Sequence, residues 1–478
     1  MKHRIGLFAA LFIFITTGQA QLTNCGTDAI HQQWLLSNPA YQQSFRQQAA
    51  DWSSFIKNKN AGLARLSLKE GDIYEIPVVV HIVHTGEPVG HGRNPSDSVI
   101  HDRIEKINAI FSGSLPLFFT SGTRVKIPIR LKLAQRTPDC KPTTGINRVN
   151  GSSLPGYQQF GIINPDDPSY PGTSEALVKN LSLWPSKFYL NIWTVVRGGQ
   201  FAYLPTSNMS PLDGVVVISN ETVTINEYVL AHEIGHSFGL LHTFEGAGTN
   251  PNVNICPPNS NCATDGDGVC DTDPHPFLLC RDTLINRCTN TPYLQVKHNM
   301  MNYGCIDRFT GGQRDRMVFM LEKYRYSLLT SFGTLPPFAE QPPVTNTPVT
   351  ACKPVGRTDS QNFTFGPTSV QLADLIVQSG GYAADGFRSY VDHTIPLTTC
   401  VGVQQPKANL TAGQVYELKV TTDNIDPHNV RGWIDFNNDG LFQSSELVIS
   451  SNGTTSYQTH IASVTVPATG VPFCTPLR

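Results

Sequence analysis

The sequence has little that would carry it into or onto a membrane. Beyond the N-terminal run Ile5–Ile15, no segment approaches the ~18 consecutive apolar residues that a spanning helix needs. It also lacks a charge excess: 35 Lys and Arg against 37 Asp and Glu leave a formal net charge of −2. That balance removes the electrostatic case for nucleic acid or an anionic lipid surface as partner. No repeat of solenoid type is present. At 478 residues the chain is too long for one hydrophobic core, so two or more domains are expected.

What is present begins with Lys2 and Arg4, the apolar run, and small residues at Gly18 and Ala20, the pattern of a secretory signal peptide over residues 1–20. Export makes the 11 cysteines readable as disulfides, with six between Cys256 and Cys305. An odd count leaves at least one thiol over. Residues 21–71 hold Cys25 and a polar, Gln-rich stretch with little alternation, which reads as a prosegment outside the core. Its removal is expected by self-cleavage between about Ser54 and Asp72, where Lys57, Lys59, Arg65 and Lys69 lie in a stretch with weak structural signals.

Residues 76–83 (IPVVVHIV) read as a buried strand. Apolar residues at Ile100, Ile104, Ile107, Ile110 and Phe111 predict an amphipathic helix starting at Asp97 or Ser98 and ending before Gly113. Val125–Leu133 alternates as a half-buried strand, and Pro128 places it at a sheet edge. Phe188–Val196 and Gly214–Ile218 are further strand candidates, so the class is α+β. Residues 333–351 are rich in proline and threonine and predict an extended linker. Short alternating runs beyond it, such as Val415–Val420 and Ala462–Val466, predict an all-β, sandwich-like module over residues 352–478.

Residues 232–242 read HEIGHSFGLLH. Thr224 with Glu227 forms a capping box, predicting a helix from Ile225 to about Phe238. On that helix His232 and His236, four apart, share a face and can hold one metal ion through imidazole nitrogen. Glu233 lies beside that face as a general base. Gly239 supplies the positive φ that ends the helix, and the returning chain presents His242 as third ligand. Three ligands leave one coordination position open, as catalytic zinc requires.

The pattern HExxHxxGxxH resembles the metzincin signature, whose methionine turn is matched by residues 299–303 (NMMNY). Within that clan the chain is similar to the pappalysin family over roughly residues 75–330, in the blocks IPVVVHIVH, LAQRTPDCKPTTGINRV, KFYLNIWTVV, DGVVVIS, HEIGHSFGLLHTFEG and FTGGQRDRM. The resemblance implies a zincin-like catalytic domain over residues 72–332, with a mixed sheet and an active-site helix, that hydrolyses peptide bonds in proteins. It further implies that Met301 underlies the metal and that Tyr303 stabilises the oxyanion. It places substrate strand pairing near Phe201–Leu204, and it pairs Cys305 with an earlier cysteine of the cluster. Ile306 and Asp307 are placed where the pocket past the scissile bond is lined, Asp307 favouring a basic residue.

Asp265–Asp273 (DGDGVCDTD) offers hard oxygen ligands at the density that suits calcium. A similar loop binds calcium in the pappalysins, which points to Asp267, Asp271 and Thr272. Asp435–Glu446 (DFNNDGLFQSSE) matches a twelve-position calcium loop through Asp435, Asn437, Asp439, Gly440 and Glu446. Strand-like flanks make it a hairpin loop. The WIDFNNDGLF stretch resembles the GEVED-type β module, in which the chain normally continues past the position of Arg478, so a truncated module is expected. Asn24-Cys25-Gly26 resembles the cysteine-switch segments that hold some metzincins latent, the thiolate filling the open position on zinc; pairing of Cys25 with Cys140 or another cysteine is the alternative. A secreted adhesin or carbohydrate-binding protein with a structural zinc is the alternative to a peptidase, and a zinc hydrolase of non-peptide substrates a third reading.

Overall fold

The structure, a computed structural model, describes residues 25–61, 66, 72–117, 124–206, 210, 212–219, 225–247, 255–278, 285–293, 296–303, 305–337, 366–373, 375–378, 397–399, 402–404, 408, 410–422, 426–456 and 458–472. The signal-peptide reading, Thr224, Arg65, Lys69 and most of the linker lie outside these residues.

The chain opens with two helices, α1 (Thr27–Ser37) and α2 (Pro39–Asn60). Pro39 stands in the first turn of α2, where its missing N–H costs nothing, and the Asn38 side chain accepts from Tyr41 N at 3.0 Å. These helices correct the expectation of a segment outside the core, since Cys25 and Trp52 are each 1% exposed. Tyr41, Phe45, Gln48, Trp52, Phe55 and Ile56 recur at helical spacing, but the interleaved glutamines hide the apolar stripe. Lys57 and Lys59 therefore sit on the last turns of a helix and not in an irregular segment.

β1 (Tyr74–His84) is the long central strand, buried from Ile76 to Val83. Helix α3 (Asp97–Ser112) buries Ile100, Ile104, Ile107, Ile110 and Phe111 and ends at Gly113, whose φ of +75° is the left-handed stop. β2 (Ile129–Leu133) is shorter than the alternation from Val125 suggests. The segment ahead of it bonds through Ile127 N, which donates to Phe111 O at 2.7 Å, and through Pro128, whose carbonyl accepts from Tyr74 N at 2.9 Å. β3 (Ile146–Asn150), two short helices α4 (Tyr157–Phe160) and α5 (Glu175–Lys179), β4 (Leu190–Val195), β5 (Phe201–Ala202) and β6 (Val215–Ile218) follow. The sheet runs β2-β1-β4-β6-β5, with β3 pairing the far half of β1. All pairings are parallel except that of β5, which is antiparallel to β6 and forms the edge. This is a mixed sheet, and together with its helices it makes an α+β fold.

Helix α6 (Glu227–Ser237) packs beneath the sheet with Val229, Leu230, Ala231 and Ile234 in the main core. Its cap is Asn226 rather than Thr224: the Asn226 side chain accepts from Tyr228 N and Val229 N at 2.9 and 3.2 Å. An Asx cap one residue before Glu227 starts the helix later than the capping box predicts. The disulfides Cys256–Cys288 and Cys262–Cys270 staple the loop region that includes the short hairpin β7 (Ile285–Asn286) and β8 (Thr291–Pro292). Helix α7 (Gly311–Tyr324) is opened by a full capping box between Thr310 and Gln313 and runs into α8 (Tyr326–Leu329). Between them Arg325, fully buried, grips both carboxylate oxygens of Asp213 at 2.6 and 2.8 Å.

In the C-terminal region, β9 (Pro367–Leu372), β10 (Leu375–Gln378), β13 (Val415–Thr422) and β16 (Thr459–Thr465) form an antiparallel sheet, ordered β10-β9-β13-β16. The pair β11 (Leu397–Thr399) and β12 (Gly402–Gln404) and the pair β14 (Val430–Trp433) and β15 (Leu447–Ser451) are antiparallel ribbons. Phe436 and Ile449 share one core with Leu418, Val420 and Val464, so the second ribbon packs on the sheet as layers of a sandwich do.

Candidate metal centre and active site

Helix α6 carries His232 and His236 one turn apart, and Gly239, at φ +87°, sends the chain back so that His242 meets them. A Cβ on Gly239 would stand 2.6 Å from Met320 Cγ, so the turn needs glycine for space as well as for conformation. The three Nε2 atoms lie 3.1, 3.1 and 3.2 Å from one another, and all three rings are fully buried. The Nδ1 of His232 donates to Met300 O at 2.6 Å and that of His236 to Leu240 O at 2.7 Å. These bonds fix the tautomer and turn the Nε2 lone pairs inward. Burial pushes His232 and His236 well below the ordinary imidazole pKa, keeping both neutral. Three converging lone pairs repel unless a cation lies among them, and the spacing suits an ion bound at about 2.0–2.1 Å. The donor set therefore fits zinc.

Glu233 is fully buried beside this triad, and burial raises its carboxyl well above the usual range. Its Oε1 meets no hydrogen-bond partner among the described residues. Its Oε2 accepts from the Cys25 thiol at 3.4 Å, and the same sulfur is 3.5 Å from His236 Nε2. Cys25 is a buried free thiol, so it is not paired with Cys140. Burial, reinforced by the Glu233 charge, pushes that thiol well above its ordinary pKa. Cys25, His232, His236 and His242 form a four-membered group whose ligand atoms all lie within 4.8 Å.

Met301 is buried under α6, where a Cβ on Gly235 would be 2.6 Å from its sulfur. Tyr303 lies over the histidines, its ring 4.8 Å from that of His242. Its hydroxyl accepts from Cys25 N at 3.1 Å and donates to Cys25 O at 3.0 Å. The edge strand β5 is also engaged by the N-terminal segment. Gly26 N donates to Gln200 O at 2.8 Å, and Thr27 Oγ1 donates to Ala202 O at 3.1 Å while accepting from Ala202 N at 3.0 Å.

Asp307 does not line an open pocket: it is fully buried and its carboxylate accepts from Arg308 at 2.8 Å. Ile306 is buried too. Cys305 and Cys140 are disulfide-bonded to partners outside the described residues.

In the acidic loop, Asp267 is buried and accepts from Thr272 Oγ1 at 2.7 Å and from Val269 N at 3.0 Å. Burial raises its carboxyl to about 7. Asp271 turns to the start of α7, accepting from Thr310 Oγ1 at 2.6 Å and Gly312 N at 2.7 Å. The second loop lies between β14 and β15. Asp435 accepts from Asp439 N and Gly440 N, and Glu446 accepts from Phe436 N and Gln443 N, both carboxylates being buried. Asn437 donates to Asp439 at the rim.

Three features of the site lie outside what the sequence motifs suggest: the Asn226 cap, Asp28, whose carboxylate is 2.8 Å from His242 Nδ1, and Trp52, whose Nε1 donates to Gly268 O at 2.6 Å. The aromatic spacing on α2 is the signal for Trp52. Asp28 carries none.

Comparison with known proteins finds similarity over two stretches of the chain. Residues 173–322 match the family described as Peptidase_M43, pregnancy-associated plasma protein-A, and residues 429–478 match the GEVED domain. The chain is thus similar to the M43 (pappalysin) peptidase family over the stretch that holds the three histidines, and to the GEVED domain at its C-terminal end. An extracellular metalloprotease of Neurospora crassa is 32% identical over 140 residues, 26% of this chain and 44% of the relative. One from Pyricularia oryzae is 33% identical over 139 residues, with the same coverage of 26% and 44%. The chain thus spans under half the length of these relatives. Among solved structures, a Tannerella forsythia promirolysin mutant is similar at 22% identity and TM-score 0.47, over 66% of this chain and all of that one. Mature mirolysin in complex with a cleaved peptide is similar at 24% identity and TM-score 0.41, over 55% of this chain and 97% of that one.

Proposed function

We propose that the chain is a secreted zinc-dependent endopeptidase made as a latent precursor, in which residues 21–71 are the prosegment. The observation that carries this reading is the convergence of three imidazole Nε2 atoms within 3.2 Å of one another, with one buried carboxyl beside them that has, among the described residues, an unpartnered oxygen. His232, His236 and His242 would hold the zinc, which when bound supplies Lewis-acid polarisation of water and of the scissile carbonyl.

Glu233 takes a proton from the attacking water and passes it to the leaving amine; its raised pKa suits both halves of that exchange. The Tyr303 hydroxyl, freed from Cys25, donates to the oxygen that gains charge. Met301 packs under α6 and holds the floor of the triad. The edge of β5 offers the Gln200 carbonyl and both Ala202 backbone groups to an extended peptide, the groups that Gly26 and Thr27 engage here. Latency follows from the same placement, with the Cys25 sulfur held at the position that water needs.

Calcium is proposed at two loops. Asp267, Asp271 and Thr272 support the first, where a cation would favour the ionised form of a buried carboxyl. Asp435, Asn437, Asp439 and Glu446 support the second, with two buried carboxylates in a hairpin loop. Activity is tested on gelatin and casein with processed protein: hydrolysis that is abolished by a zinc chelator and restored by zinc is expected. Binding of zinc without cleavage of any denatured protein would overturn the endopeptidase reading.

A further inference from the structure

Each of the three histidines has its Nδ1 partnered, but the partners have different origins. His232 and His236 stand on a helix and donate to Met300 O and Leu240 O, backbone groups of the same domain. His242 stands on coil beyond the helix, and among the described residues its Nδ1 meets only the Asp28 carboxylate, at 2.8 Å. Asp28 lies in the first turn of α1, three residues after Cys25, on the segment proposed above as the prosegment.

We propose that Asp28 is a positioning residue of the metal centre: the prosegment carboxylate orients His242, so that the precursor binds zinc more tightly than the processed enzyme. The physical argument is that a carboxylate on the far nitrogen of a ligating imidazole fixes its tautomer and ring angle and raises the basicity of the ligating nitrogen, and removing such a partner weakens metal binding by about 10- to 100-fold. Ring contacts alone leave the tautomer open. Phe244 stacks on His242 at 4.9 Å and Tyr303 meets it edge-on at 4.8 Å, which restrains the plane but offers no acceptor to Nδ1. Asp28 remains 28% exposed at its side chain, so its charge is only partly desolvated and it can accept without a large burial cost. The prosegment thus acts at the metal twice, through the Cys25 sulfur from the open side and through Asp28 from behind His242.

This inference rests on zinc being held by the triad, and the test separates the two. All variants are made in a Glu233→Ala precursor, which cannot process itself. Zinc dissociation constants are measured by competition with a chromophoric chelator for the parent, Asp28→Asn, His242→Ala and the double variant. Asp28→Asn is expected to weaken zinc binding about 10- to 100-fold when His242 is present and less than about threefold when it is replaced. Equal losses in both backgrounds would mean that Asp28 only docks α1, and no loss in either would mean that it does nothing at the metal; each overturns the proposal. A parent precursor that takes up no zinc would instead overturn the metal-site reading, and this inference with it.

Discussion

The Tyr303 hydroxyl bridges both ends of one residue, accepting from the Cys25 amide at 3.1 Å and donating to the Cys25 carbonyl at 3.0 Å. The side chain assigned to the oxyanion is thereby spent on holding the thiol at the triad. In the proposed function latency and catalysis draw on the same hydroxyl, so they exclude one another.

Cys25→Ala is expected to give a precursor with activity as soon as it is made, because water can then reach the open side of the metal. Its hydrolysis of casein, compared with the unprocessed wild type, decides the matter: equal inertness would refute a thiol-based latency.

Glu233→Ala is expected to retain zinc while losing at least ~100-fold in turnover, since the three histidines are untouched and the base is gone. Elemental analysis alongside the assay checks both halves. Full proteolysis by a zinc-loaded variant would refute the mechanism.

Trp52→Ala removes a fully buried ring from between Ala263, Phe319 and Met320, and with it the bond to Gly268. A loss of about 3–5 kcal/mol in precursor stability is expected, read as a lower melting temperature and faster modification of Cys25. A precursor with unchanged melting and unchanged thiol shielding would show that α2 does not anchor the segment.

His31 gives the docking of α1 a pH dependence. Burial lowers its pKa to about 4 against the pull of Asp28, whereas a released helix titrates near 6.5. The docked form therefore binds fewer protons, so docking is at full strength above pH 6.5 and weakens as pH falls toward 4, by roughly 10- to 100-fold at pH 4.5. Cys25 modification, normalised to a free thiol at each pH, should accelerate on acidification, and less so in His31→Asn. A rate that does not change between pH 7 and 4.5 contradicts this.

Calcium removal by a chelator too weak to strip zinc is expected to lower the melting temperature of the catalytic domain, through loss of the ion near Asp267 and Asp271. An unchanged melting curve, with no calcium by elemental analysis, refutes both loop assignments.

Much of the site is legible in the sequence because its chemistry is local. His232, Glu233, His236, Gly239 and His242 lie within eleven residues, and helical geometry converts that spacing into one cluster. Strand β1 and helix α3 are legible for the same reason, each carrying an unbroken apolar pattern. The N-terminal helices are not, because the glutamines of α2 dilute the periodic signal although its aromatics bury well. Asp28 and Asp307 show the remaining limit. One carboxylate meets a histidine 214 positions away and the other is consumed by its neighbour Arg308, and no spacing rule distinguishes them.

Helix α2 grips the domain through Trp52, through Gln48 on the Pro205 carbonyl, and through the ion pairs of Asp51 with Lys323 and Lys59 with Asp315, none of them a contact to the three histidines. If the segment is the proposed prosegment, this makes it a bivalent inhibitor. A single thiol is a modest ligand in solution, but one tethered to a docked helix faces the triad at an effective concentration set by the short joint at Asn38, about millimolar or above. A cut after α2 leaves both grips in place, and the fragment remains a bound inhibitor that dilution removes slowly. A cut at the joint, where Leu36 is 90% exposed, divides it into two monovalent pieces and forfeits that gain at once.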